Sequence, residues 1–143
     1  MNKQTRNIIN VSLTLVAIYL YSFTANNIET EILGFNSFKF LITIAVLIQF
    51  LIFLPSFIFK SEKFYDLTGS LTYISVTSIA YFSLDNPTTT DTILFLYVII
   101  WAGRLGIFLF RRINKDGKDE RFDKAKKKFF WFLQYWMGQA AWV

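Results

Sequence analysis

Two ionisable residues stand inside apolar stretches of this sequence, Asp66 and Arg104, and they are the first places where chemistry could sit. A charge in hydrocarbon costs roughly 3 kcal/mol or more, so each must be paired, face water or serve a ligand. Arg111 follows Arg104 by seven residues and so shares its helical face, with Arg112 beside it, which draws a cationic stripe along one helix. Guanidinium groups grip phosphate oxygens bidentately, and more strongly where water is scarce, so the stripe suits a phosphate-bearing ligand. The same residues have a plainer reading. Asp66 and Arg104 would be a structural ion pair, the arginine reaching along its helix to the depth of the aspartate, while Arg111 and Arg112 anchor a helix end.

Asp66, Ser70, Tyr73 and Thr77 follow a 4-3-4 spacing and fall on one face of an otherwise apolar helix. Such a stripe should face protein or a cavity, where it either hydrogen-bonds to other helices or lines a pocket. Ala102 and Gly106 form a small-xxx-small pair, the mark of close helix packing. The chain has no cysteine and no histidine. Disulfides, thiolate nucleophiles, the commonest zinc ligands and a Ser-His-Asp set are therefore excluded, and no metal site is expected. Acid or base chemistry would fall to Asp, Glu, Lys or Tyr, or to a bound cofactor.

The elements that must position these residues are apolar runs. Of 143 residues, 54% are hydrophobic and 20% aromatic, and the mean hydropathy is +0.39, a composition that favours a membrane class. A spanning helix needs about 20 apolar residues. Five candidate runs occur: Asn7 to Thr24, Ser37 to Phe59, Phe64 to Leu84, Thr92 to Phe110, and one from near Phe129 that is still apolar at Val143. The expected fold is an all-α, multi-pass transmembrane helical bundle of four complete spans and a truncated fifth. Because the last run is short for a span, residues 1–143 read as one transmembrane domain from the N-terminal part of a longer protein.

Basic residues alternate between the loops. Lys3 and Arg6 precede the first run, Lys60 and Lys63 follow the second, and nine lie between Arg111 and Lys128, whereas the other two loops have none. This is the positive-inside pattern, and it predicts a cytoplasmic N-terminus. The net charge of +5 then reflects topology and not nucleic-acid binding. A cleaved signal peptide ending near Ala25 is disfavoured, since its removal would break the alternation. Pro55 falls near the end of the second run, where a kink is tolerable, and Asp85-Asn86-Pro87 reads as a turn before the fourth. The basic loop 111–128 also holds Asp116, Asp119, Glu120 and Asp123, and its mixed signs predict an ordered segment. Lys124 to Lys128 could still hold anionic lipid head groups.

Trp101-Ala102-Gly103-Arg104-Leu105-Gly106, Phe110-Arg111-Arg112-Ile113 and Asp116-Gly117-Lys118-Asp119-Glu120-Arg121-Phe122-Asp123 together resemble the steroid 5-alpha-reductase-like membrane enzymes, in a largely bacterial branch known as a domain of unknown function. Phe64-Tyr65-Asp66-Leu67-Thr68 and the later Phe132, Gln134, Trp136, Gln139 and Trp142-Val143 fit the same branch, so that the resemblance covers roughly residues 40 to 143. It implies a membrane-bound reductase that passes hydride from NADPH to a carbonyl-activated carbon-carbon double bond in a lipid-like substrate of steroid or enone type. By the same resemblance Arg104 would lie near the cofactor phosphates, with Arg111 continuing its stripe. Arg112, Asp119, Arg121 and Asp123 would belong to the cytoplasmic segment closing over the cofactor. The residue that protonates substrate is not identified; Asp66 and Tyr73 are the candidates. The family's C-terminal half is missing, so these residues alone are expected to be inactive. The protein would sit in a bacterial inner membrane or the endoplasmic reticulum, according to its source.

Two other classes remain open. A non-catalytic membrane module could recruit anionic lipid or a partner helix through the basic loop. A small transporter is disfavoured, because so few ionisable residues lie within the runs and no repeated half is visible.

Overall fold

The computed structural model describes residues 2–24 and 30–143, which carry five helices. These are α1 (Lys3–Phe23), α2 (Ser37–Ile58), α3 (Tyr65–Phe82), α4 (Thr89–Asp116) and α5 (Phe129–Trp142). Ala25 lies outside the described residues. Every apolar run becomes a helix, and the N-terminal ends of α1, α2 and α4 follow capping chemistry. Asn2 and Asn36 each accept a backbone N–H of the following first turn, and Thr88 with Asp91 forms a reciprocal capping box ahead of α4.

α1 begins at Lys3 and not at Asn7, α4 begins at Thr89 and not at Thr92, and the end of α4 differs most from expectation. α4 does not stop at Phe110 but continues through Arg111–Asp116, ending where Gly117 adopts φ 77° and returns its N–H to Ile113. The stop is set by the residue able to take the left-handed conformation, not by the change from apolar to charged side chains. The remainder of the basic loop is ordered as expected, in two short 3₁₀ turns, Glu120–Phe122 and Ala125–Lys127. A small antiparallel hairpin, β1 (Glu31–Ile32) with β2 (Phe35–Asn36), precedes α2 and turns through Leu33 and Gly34. Strands of two residues offer no alternation to read, so the sequence did not reveal it.

α3 packs along both α4 and α2, while α5 packs along α1 and α2. α2 and α4 are long and apolar enough to cross a membrane. α1 opens on Lys3-Gln4-Thr5-Arg6 and α3 carries Asp66 among serines and threonines, which lowers the hydropathy of both. The core is aromatic. Phe53 of α2 meets Phe129, Phe132 and Trp136 of α5 at ring-centroid distances of 5.1, 5.8 and 6.3 Å. Phe122 of the loop is 1% exposed and joins this cluster, its ring tilted against that of Tyr65 at a centroid distance of 4.8 Å. The loop is thus plugged into the end of the bundle, an arrangement stabilised by roughly 2 kcal/mol of apolar burial for the one side chain.

Candidate functional site

The N-terminus of α3, the C-terminus of α4 and the loop 117–128 meet at one end of the bundle, and the burial of Phe122 fixes where its neighbours point. Arg121 and Asp123 flank that plug in sequence and so stand at the rim. Arg121 closes on Asp119 with a fork of hydrogen bonds, Nε donating at 3.0 Å to each carboxylate oxygen and a terminal nitrogen at 2.6 Å. Asp66 receives Arg112 at 3.5 Å and lies 3.9 Å from Arg121, while Arg112 is 3.9 Å from Asp119. The four charges therefore form a ring of alternating sign joining α3, α4 and the loop. The Arg121 hydrogen bonds hold the Asp119 carboxyl below its ordinary range, burial opposing them, and the same bonds raise the Arg121 guanidinium above its own.

A second network lies beneath the first, and it was not foreseen. Glu62, in the turn between α2 and α3, has a side chain only 4% exposed and accepts Lys126 Nζ at 2.7 Å. Its other oxygen accepts the Asp119 backbone N–H at 3.0 Å. Lys126 also lies 3.5 Å from Asp123, which pairs with Lys118 at 3.6 Å. Burial works to lower the Lys126 amine, but Glu62 and Asp123 outweigh it and raise the group overall. One signal could have revealed Glu62: it is the only acid in a turn that otherwise carries Lys60 and Lys63.

Arg104 does not join Asp66. α4 faces α3 with Ala102, Gly106 and Ile113, and the contact is close enough that a Cβ on Gly106 would stand 2.7 Å from the Ser70 Cβ. Arg104 is two residues beyond Ala102 and hence about 200° around the helix, on the exposed outer face. There it shares a groove of about 610 Å³ with Ile107, Phe108, Arg111, Arg112, Lys115 and Asp116. The stripe of Arg104 and Arg111 is therefore present, and neither residue has an ion pair among the described residues. The ion-pair reading of Asp66 holds with different partners, Arg112 and Arg121.

In the polar stripe of α3, Ser70 and Tyr73 face protein. Ser70 is buried against Gly106, and Tyr73 donates its hydroxyl to the Trp142 carbonyl at 2.7 Å with its ring edge-on to Trp101 at 5.1 Å. Tyr65, two turns earlier, donates likewise to the Tyr135 carbonyl at 3.0 Å. A further polar face of α3 was missed. Thr72 accepts Gln49 Nε2 at 3.0 Å, both residues being fully buried. Close by, Gly69 leaves room for Gln139, and among the described residues the Oε1 atoms of Gln49 and Gln139 and the Trp136 Nε1 lack hydrogen-bond partners. Among the described residues no three metal-ligating side chains come together.

Residues 52–143 match the family described as "Protein of unknown function (DUF1295)", which is well over half of the chain. The chain belongs to the DUF1295 family. Both charge networks, the α4 groove and Gln139 lie within the DUF1295 segment, whereas α1 and the hairpin lie before it. No curated protein and no solved structure matches the chain.

Proposed function

We propose that this DUF1295 chain belongs to a membrane-bound, NADPH-dependent reductase of the steroid 5-alpha-reductase-like type, acting on an activated carbon-carbon double bond in a lipid-like substrate. Four spans and the start of a fifth are formed by α1 to α5, with the N-terminus and the charge networks on the cytoplasmic side. The alternation of basic loops supports that orientation, and the apolar outer face of α1, where Leu13 and Leu20 are each at least 60% exposed, supports the crossing of a membrane.

The observation that carries the reading is the guanidinium of Arg104, without an ion pair among the described residues, continued by Arg111 and Lys115 along one groove that Asp116 also lines. From Arg104 to Lys115 the helix rises about 16 Å, enough to meet two separated phosphate groups, so the donor set fits a dinucleotide phosphate. When bound, NADPH would supply the hydride. Arg104 and Arg111 hold phosphate oxygens; Arg112, Asp119, Arg121 and Asp123 keep the loop against the helix ends. Tyr73 and Asp66 remain the proton-donor candidates, each now engaged as described above.

NADPH affinity of the full-length protein in neutral detergent tests this. Arg104→Ala should weaken binding by about tenfold or more, the worth of a charged hydrogen bond, while Lys60→Ala leaves it unchanged. Unaltered affinity in Arg104→Ala would remove the groove from the cofactor site.

A further inference from the structure

A second basic cavity lies at the same end of the bundle and has no role in the reductase reading. It has a volume of about 400 Å³ and opens between the first turns of α1 and α5. Lys3, Arg6 and Lys128 line it, no acidic residue does, and none of the three cations has an ion pair among the described residues. Phe130 and Trp131 supply apolar wall. Asn7 also lines it; this residue is 8% exposed, and its carboxamide has no hydrogen bond among the described residues. One turn further along, Asn10 donates to Gln134 at 3.4 Å and closes the α1–α5 seam.

Three cations lining one cavity, beside a residue 8% exposed whose amide has no hydrogen bond among the described residues, are the features of a site for one anionic oxygen group. The apolar wall excludes a fully hydrated anion as the best occupant. Above the cavity the exposed surface of α1 is apolar, with Ile9, Leu13 and Val16 outward, which provides a track for acyl chains. We propose that this cavity binds the phosphodiester head group of an anionic phospholipid from the cytoplasmic leaflet, its chains lying along α1. The inference rests on the membrane aspect of the function proposed above and not on its reductase aspect, so unaltered NADPH binding would leave it standing.

The test is native mass spectrometry of the full-length protein, delipidated in neutral detergent, with phosphatidylglycerol, phosphatidylcholine or inorganic phosphate added in separate arms. One phosphatidylglycerol should bind per chain in preference to phosphatidylcholine. Arg6→Gln and Lys128→Gln should each weaken it by about fivefold, the share expected of one basic residue near anionic lipid. Lys60→Gln with Lys63→Gln, at the same end but outside the cavity, should not. All four positions are exposed or lie in a turn, and unchanged thermal unfolding of each variant will show that folding is intact. Equal weakening by the Lys60 and Lys63 changes would reduce the effect to diffuse charge and overturn the proposal. Binding of inorganic phosphate that displaces phosphatidylglycerol at equal concentration would assign the cavity to a free anion and overturn it as well.

Discussion

Replacing Glu62 by Gln removes one charge from a pair that water barely reaches, and the consequence can be estimated. The Glu62 and Lys126 side chains are 4% and 18% exposed and their charged atoms lie 2.7 Å apart. Removing one partner of a buried pair costs about 3–5 kcal/mol, because the remaining charge stays buried without compensation. Here Asp123 stands 3.5 Å from the same amine and offsets some of that loss, so about 2–3 kcal/mol is expected. Gln retains an acceptor for the Asp119 N–H; Leu does not, and Glu62→Leu should cost about 1–3 kcal/mol more. The double change Glu62→Gln with Lys126→Met should recover much of the loss, since the stranded cation is gone. The assay is unfolding of the purified protein in mixed detergent micelles, followed by tryptophan fluorescence. A Glu62→Gln cost below about 0.5 kcal/mol, or a double variant no better than the sum of the two single changes, would refute the claim that this pair fastens the loop.

Further outcomes follow from the same geometry. Gly106→Ala should destabilise by about 1–3 kcal/mol because its Cβ would press on the Ser70 Cβ and push α4 away from α3, whereas Gly103→Ala, which meets nothing within 4 Å, should be neutral or slightly stabilising; thermal unfolding of the two variants decides. Because Asp119 has a depressed folded-state pKa, its stabilisation is present above the ordinary carboxylate range and lost as pH falls through the depressed value. Limited proteolysis of the loop should therefore accelerate in acid, and Asp119→Asn should show the faster cleavage already at neutral pH. Lys126 has a raised folded-state pKa, so its contribution is complete below the ordinary lysine value and declines as pH climbs through the raised one; Lys126→Met should flatten the alkaline limb of the stability profile. Thr72→Val, finally, leaves the Gln49 amide without its single partner and should cost about 0.6–2 kcal/mol, read in the same unfolding assay.

The sequence alone determined the five helices, because each is an apolar run that starts beside polar or charged residues, and the period and length of such runs are local properties. It also showed that Arg104 and Arg111 share a face, since seven residues make nearly two turns. The order within loop 117–128 was legible from its mixed charges. Tertiary structure decided the rest. Only packing could say that Arg104 turns away from Asp66, because the glycine at 106 and the alanine at 102 claim the side of α4 that touches α3. Only packing could bring Glu62 to Lys126, residues 64 apart in sequence, and make a single carboxylate in a lysine-rich turn the centre of a buried network. Asn7 and the cations that line its cavity likewise come from α1 and from the residue that opens α5, more than a hundred positions apart in the sequence. Helical periodicity fixes which side chains share a face; which faces meet is decided by the fit of small residues against large ones, and that fit is a property of the assembled bundle.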